Sequence, residues 1–330
     1  MMLRLPMLRW WTAAALASVA LLAAPPVAPA QAPAPRTARP PAPQEFSLTT
    51  KDGVQIAITY YASTAGAQAV PVILLHDFNE TRAVYDPLAR LLQNPPAALS
   101  EGQPPGSVME PRAVVAVDLR GQGQSKTAFT ADGFPVELDA ARFELEDFQD
   151  MVLYDLEAVR AFLVERNDAG ELNLNKLCVV GAGMGANVAL NYAARDWAIP
   201  NLAARKQGQD VKALVLLSPL RVFHGLSSIQ PLKFEPIQRQ LSVFLAFGAG
   251  DAKIAKDCET MVKTWAKFHP EPPREQVAAL KDFYVFSPPT TRQGTDLLTT
   301  EDLELGPRIA EFIELRLGRF DYPHIVRKRP

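Results

Sequence analysis

The sequence predicts an α/β protein built on a doubly wound, mostly parallel sheet of eight strands with helices on both faces. Three observations carry this expectation. Unbroken apolar runs at 70–75 and 113–117 have the character of strands covered on both sides, as parallel strands flanked by helices are. Beyond each run apolar residues return at helical spacing, as Val84, Leu88, Leu91 and Leu92, then Val152, Leu156, Val159 and Leu163, so the crossovers are helices. Third, Leu177-Cys178-Val179-Val180 turns through Gly181, Gly183 and Gly185 into another helical pattern. It reads as strand, sharp turn, helix.

In chain order, Phe46-x-Leu48 and Val54-x-Ile56-x-Ile58-x-Tyr60 alternate with polar residues around Asp52-Gly53, which is a hairpin with one buried face. The run at 70–75 leads into His76-Asp77-Phe78-Asn79 and the first helix. An irregular stretch at 94–111, with four prolines besides its last residue, ends where the run at 113–117 begins. After the glycine turn come apolar strands at 213–217, 243–247 and 283–286. A last helix holds Ile309, Phe312, Ile313 and Leu317 and stops at Gly318. Residues 221–239 are placed to cover the top of the sheet. There is no internal repeat.

A chain of 330 residues, 48% hydrophobic and 21% charged with a formal net charge of -2, suits one sizeable α/β domain, assigned to 46–330. That balance argues against nucleic acid as a partner, and Arg327-Lys328-Arg329 reads as a solvated basic tail. No metal-ligand spacing is visible, and no cofactor is implied. Cys178 falls in a buried strand and Cys258 in a helix at 256–265, so both are expected free.

The N-terminus differs from the rest. Arg4 and Arg9 precede an apolar run at 10–24 and then Ala28-Pro29-Ala30, the pattern of a signal peptide over 1–30. The rival is an uncleaved anchor, since 10–27 is near the lower length for spanning a bilayer. Either implies export to the periplasm, cell envelope or exterior, with membrane retention only if the segment stays. Eight prolines between 25 and 43 mark 31–45 as a Pro/Ala-rich linker.

Gly181-x-Gly183-x-x-Ala186 also fits a dinucleotide-binding turn. That fold needs an acid at the end of the next strand, and here the strand ends at Ser218.

From Phe46 to Leu317 the chain resembles the α/β-hydrolase superfamily. His76-Asp77 resembles its His-Gly after the first buried strand, and Asp118-Leu119-Arg120-Gly121-Gln122-Gly123-Gln124-Ser125 resembles its Asp-x-Arg-Gly-x-Gly-x-Ser turn. Gly181 to Gly185 resembles its nucleophile elbow. The resemblance puts Gly183 where the nucleophile stands, Asp251 at the place of the acid and Gln293 at that of the histidine. Asp251 reads equally as a helix N-cap. Gln293 is able to hydrogen-bond Asp251 but not to shuttle a proton, and His76, His224, His269 and His324 all lie outside that loop. The backbone N–H groups of Phe78 and Met184 match the oxyanion hole. Asp77, in place of a Gly, adds bulk and negative charge beside it. His76, Asp77, Ser125 and Ser218 are the remaining pocket candidates, with His76 also readable as a hydrogen-bonded turn residue.

The implied function is an exported pseudohydrolase that binds an unidentified small ligand or protein, or serves a structural role. The alternative is an active ester or acyl hydrolase using Ser125 or Ser218, or water activated by His76 with Asp251.

Overall fold

The computed structural model describes residues 39–96, 109–200 and 206–327. The expected signal peptide, the linker up to residue 38, residues 97–108 of the irregular stretch, and Lys328 and Arg329 lie outside the described residues. Strand β1 (Gln44–Thr49) starts two residues before Phe46 and pairs antiparallel with β2 (Gln55–Tyr61). The turn between them closes through Thr50 Oγ1, which donates to Asp52 Oδ1 at 2.5 Å. Then follow β3 (Pro71–Leu75), α1 (Asp86–Gln93) and β4 (Ala113–Val117). A small ribbon, β5 (Thr127–Phe129) with β6 (Pro135–Glu137), precedes α2 (Leu145–Asp150) and α3 (Leu156–Asp168), which a π-helical turn joins.

Next come β7 (Leu177–Ala182), α4 (Met184–Ala198) and β8 (Val211–Leu217). A second ribbon, β9 (Val222–Phe223) with β10 (Leu226–Ser227), leads to α5 (Glu235–Arg239) and β11 (Ser242–Ala246). The chain closes with α6 (Ala252–Trp265), α7 (Val277–Leu280), β12 (Phe283–Phe286) and α8 (Leu305–Ile313). The eight-stranded sheet has the order β1-β2-β4-β3-β7-β8-β11-β12. Only the β1–β2 and β2–β4 pairs are antiparallel, as the sequence predicts for a mostly parallel sheet.

Strand alternation divides each apolar run between two cores. Ile73, Leu75, Val115, Val117 and Val179 pack with side chains of α3, α4 and α6. Val72, Leu74, Val114, Ala116 and Val180 pack with those of α1 and α8. Helices on both faces therefore explain why these strands carry no polar alternation. The same division keeps the thiols free: Cys178 belongs to the α1/α8 face and Cys258 to the other, with the sheet between them.

The tail reading fails at Arg327, which is buried and donates through Nη2 to Asp210 Oδ1 at 2.7 Å. Asp210 is fully buried just ahead of β8, and a buried carboxylate requires countercharge. The two ribbons are additions to the expected elements. Each turns on a Gly with positive φ, Gly133 at 82° and Gly225 at 88°.

Candidate functional site

Gly183 joins β7 to α4 with φ 48° and ψ -113°, a conformation that L side chains adopt only under strain. It is the sharp turn expected from the sequence. Two residues on, a Cβ at Gly185 would come within 2.4 Å of the Leu75 carbonyl oxygen and 2.5 Å of that of His76. The glycine thus lets the first turn of α4 lie directly on the end of β3, bringing the loop after β3 over the elbow.

That loop delivers Asp77. Its Oδ1 accepts the backbone N–H of Phe78 at 2.7 Å and that of Met184 at 2.8 Å. These are the two donors that the sequence pattern pairs. Built on Gly183, a Cβ would stand 2.0–2.1 Å from the carboxylate atoms of Asp77. The space over the elbow is filled by this one side chain. Its position is held from behind by Glu80, whose Oε2 accepts the Asp77 N–H at 3.0 Å and whose Oε1 accepts from Thr295 Oγ1. Burial, assisted by the Glu80 charge, raises the Asp77 pKa against the lowering effect of the two N–H groups.

His76 is fully buried and used on both sides. Its Nδ1 lies 2.7 Å from the Asp77 carbonyl oxygen, and its Nε2 lies 3.2 Å from the Leu119 N–H. Nδ1 therefore carries the proton and Nε2 accepts, which fixes a neutral tautomer, and burial lowers its pKa. This is the turn-residue role. The expectation that His76 with Asp251 activates water is corrected: neither ring nitrogen is free to take a proton.

Ser125 is likewise a scaffold residue. Its hydroxyl donates to the Asp118 carbonyl at 2.7 Å and accepts the Ala57 N–H at 2.9 Å, with no exposed surface. The remainder of that motif is a folded knot. Asp118 accepts from the Arg82 N–H, the Arg82 guanidinium and the Gln124 N–H, and Arg120 pairs with Asp155 and Asp52. Its charged residues hold the loop together.

Gln293 reaches the top of the sheet, but it does not meet Asp251. Its Oε1 accepts from Ser218 Oγ at 2.6 Å and from the Gly248 N–H at 3.1 Å, while its Nε2 donates to the Gly248 carbonyl at 2.8 Å. Ser218 Oγ in turn accepts the Gly294 N–H at 2.8 Å. Asp251 spends its carboxylate on the N–H groups of Lys253 and Ile254 at 3.0 and 3.1 Å, as the N-cap of α6. The pairing of Gln293 with Asp251 is therefore corrected, because the first turn of a helix offers that carboxylate two otherwise unpaired donors. Ser218, at φ 52°, has an amide for a neighbour and no base.

Sequence reading missed what surrounds these groups. The two-residue turn His224-Gly225 swings β9 so that Phe223 stands 5.4 Å from Phe78 and 5.2 Å from Phe148 by ring centroids. His224 lies tilted beside them, 5.3 Å from Phe148 by ring centroids. A turn of this kind has a sequence signal in its Gly flanked by apolar residues. Glu80 and Thr295 had none, since they act through a contact that the sequence separates by 215 residues.

The model of the alpha/beta hydrolase family matches residues 72–318. No curated protein matches the chain. Among solved structures, an esterase of Pyrococcus furiosus shares 16% identity at a TM-score of 0.52, covering 84% of this chain and 93% of that one. DcsB in complex with its substrate analogue shares 13% at 0.55, covering 84% and 99%. The α/β hydrolase GrgF from Penicillium sp. sh18 shares 13% at 0.52, with the same coverage. At such identities the likeness speaks for the fold alone. With the strand order, the glycine elbow and a family match over residues 72–318 in agreement, the chain belongs to the alpha/beta hydrolase family.

Proposed function

We propose that this chain is an exported pseudohydrolase, a hydrolase scaffold that binds a ligand or protein partner or serves a structural role, and does not turn over esters. One observation carries the reading: the Asp77 carboxylate accepts both the Phe78 and Met184 N–H groups in the space above Gly183. In an acyl-transfer site those two donors receive the oxygen that becomes negative in the transition state. A carboxylate already seated there withholds the stabilisation and repels the developing charge. Gly183 offers no nucleophile, and Gln293 offers no proton shuttle to the hydroxyl of Ser218. Export rests on the residues at 1–30 alone.

The test is direct. Purified mature protein is treated with a fluorophosphonate probe and a panel of short-chain esters, beside a heat-denatured control. The expected result is neither labelling nor turnover above that control; robust turnover by the unmodified protein refutes the reading.

A further inference from the structure

Asp210 precedes β8, whereas Gly183 follows the parallel strand β7, so the two mark opposite ends of the sheet. Around Asp210 gather three cations. Arg160 Nη2 lies 2.9 Å and Lys206 Nζ 3.3 Å from its carboxylate, and Arg327 Nη2 lies 2.7 Å away. Glu157, 3.6 Å from Arg160, is the acid that lines the cavity beside these cations. A cavity of about 320 Å³ opens here, lined by Arg160, Lys206 and Arg327 and by the apolar Ala161, Val164 and Ile199.

Two features go beyond charge balance. Arg327 is 5% exposed, yet its Nε and Nη1 have no hydrogen-bond partner. Buried guanidinium N–H groups in a native fold are normally satisfied. The chain also invests heavily in bringing this arginine in. Asn173, Asn175 and Asn167 donate their side-chain amides to the carbonyls of Tyr322, Pro323 and Ile325 at 2.7, 2.5 and 2.9 Å. Asp168 then accepts the Arg327 N–H at 2.8 Å.

We propose that this cavity binds a small amphiphilic anion, with a carboxylate or phosphate head on Arg160, Lys206 and Arg327 and a short apolar tail against Ala161, Val164 and Ile199. Guanidinium groups suit both heads, since each presents paired oxygens to the planar N–H fork. The tail accounts for the apolar part of the lining. Neither part of the site touches the elbow, so the proposal stands apart from the question of catalysis.

The test is calorimetric titration of the whole mature protein with butyrate, butyl phosphate and inorganic phosphate, at ionic strength matched with sodium chloride. At least one butyl anion is expected to bind saturably at millimolar concentration or below, about tenfold tighter than inorganic phosphate. The two butyl probes identify the head. Arg327→Gln is expected to weaken that binding about tenfold. Lys206→Gln, at a side chain less buried than Arg327, is expected to weaken it too and guards against a folding defect in the first variant. Absence of saturable heat with all three anions, or unchanged affinity in both variants, overturns the site; equal affinity for butyl and inorganic phosphate overturns the tail.

Discussion

Gly183→Ser alone places a Cβ 2.0–2.1 Å from the carboxylate of Asp77, so one of the two must leave. If Asp77 is expelled, it surrenders two hydrogen bonds to a charged acceptor, about 1.5–3 kcal/mol each. Seating a non-glycine residue at this φ costs about 1–3 kcal/mol more. The single variant is therefore expected to lose roughly 4–9 kcal/mol, against a stability of about 5–15 kcal/mol for an ordinary domain. In an Asp77→Gly background only the backbone cost remains. The measurement is a double-mutant cycle by urea denaturation, with Gly183→Ala in parallel because it adds the same Cβ without the hydroxyl. A coupling of about 3–6 kcal/mol between the positions, the two hydrogen bonds lost, is expected, similar for Ser and Ala. If Gly183→Ser costs the same in both backgrounds to within about 0.5 kcal/mol, the steric reasoning is refuted.

The same contact governs restoration of chemistry: Gly183→Ser with Gln293→His should stay silent toward a fluorophosphonate probe while Asp77 is present, and adding Asp77→Gly should give measurable labelling. Labelling of the double variant would show that the carboxylate does not block the hole. For His76, burial lowers the folded pKa below the ordinary 6.5, so the unfolded chain takes up the proton first. Its contribution to stability is complete above about pH 6.5 and is lost as pH falls, and His76→Gln should flatten thermal stability between about pH 5 and 7. An unchanged slope would remove His76 as the cause. Burial also pushes both thiols, Cys178 and Cys258, far up, so native protein should resist a thiol reagent and the denatured chain should react at two sites. Fast labelling of native protein would contradict their burial.

The sheet was legible because its information is local. A run such as Val72-Ile73-Leu74-Leu75 carries its own burial, and the glycines at 181, 183 and 185 announce a turn whose φ at Gly183 is indeed 48°. The elbow donors, Phe78 and Met184, followed from backbone position and needed no side chain. What the sequence hid was competition for side chains. Asp251 stands at the right strand end, yet the helix it begins uses the carboxylate. Gln293 occupies the expected loop, but Gly248 offers it both an N–H and a carbonyl, a better match for an amide than a carboxylate. The buried role of Arg327 depends on Asp210, 117 residues away, and no local pattern encodes that distance.

Asp77 and Gly183 constrain each other directly. A Ser-bearing elbow is incompatible with the seated carboxylate, because the Cβ and the Asp77 oxygens would share one space. A glycine at 183, by contrast, takes up the positive φ without the strain a side chain would bring and leaves room for the carboxylate to accept the N–H groups of Phe78 and Met184. A Ser introduced at 183 therefore meets a filled position for as long as Asp77 is seated, and the two residues are read better as one pair than as two independent features.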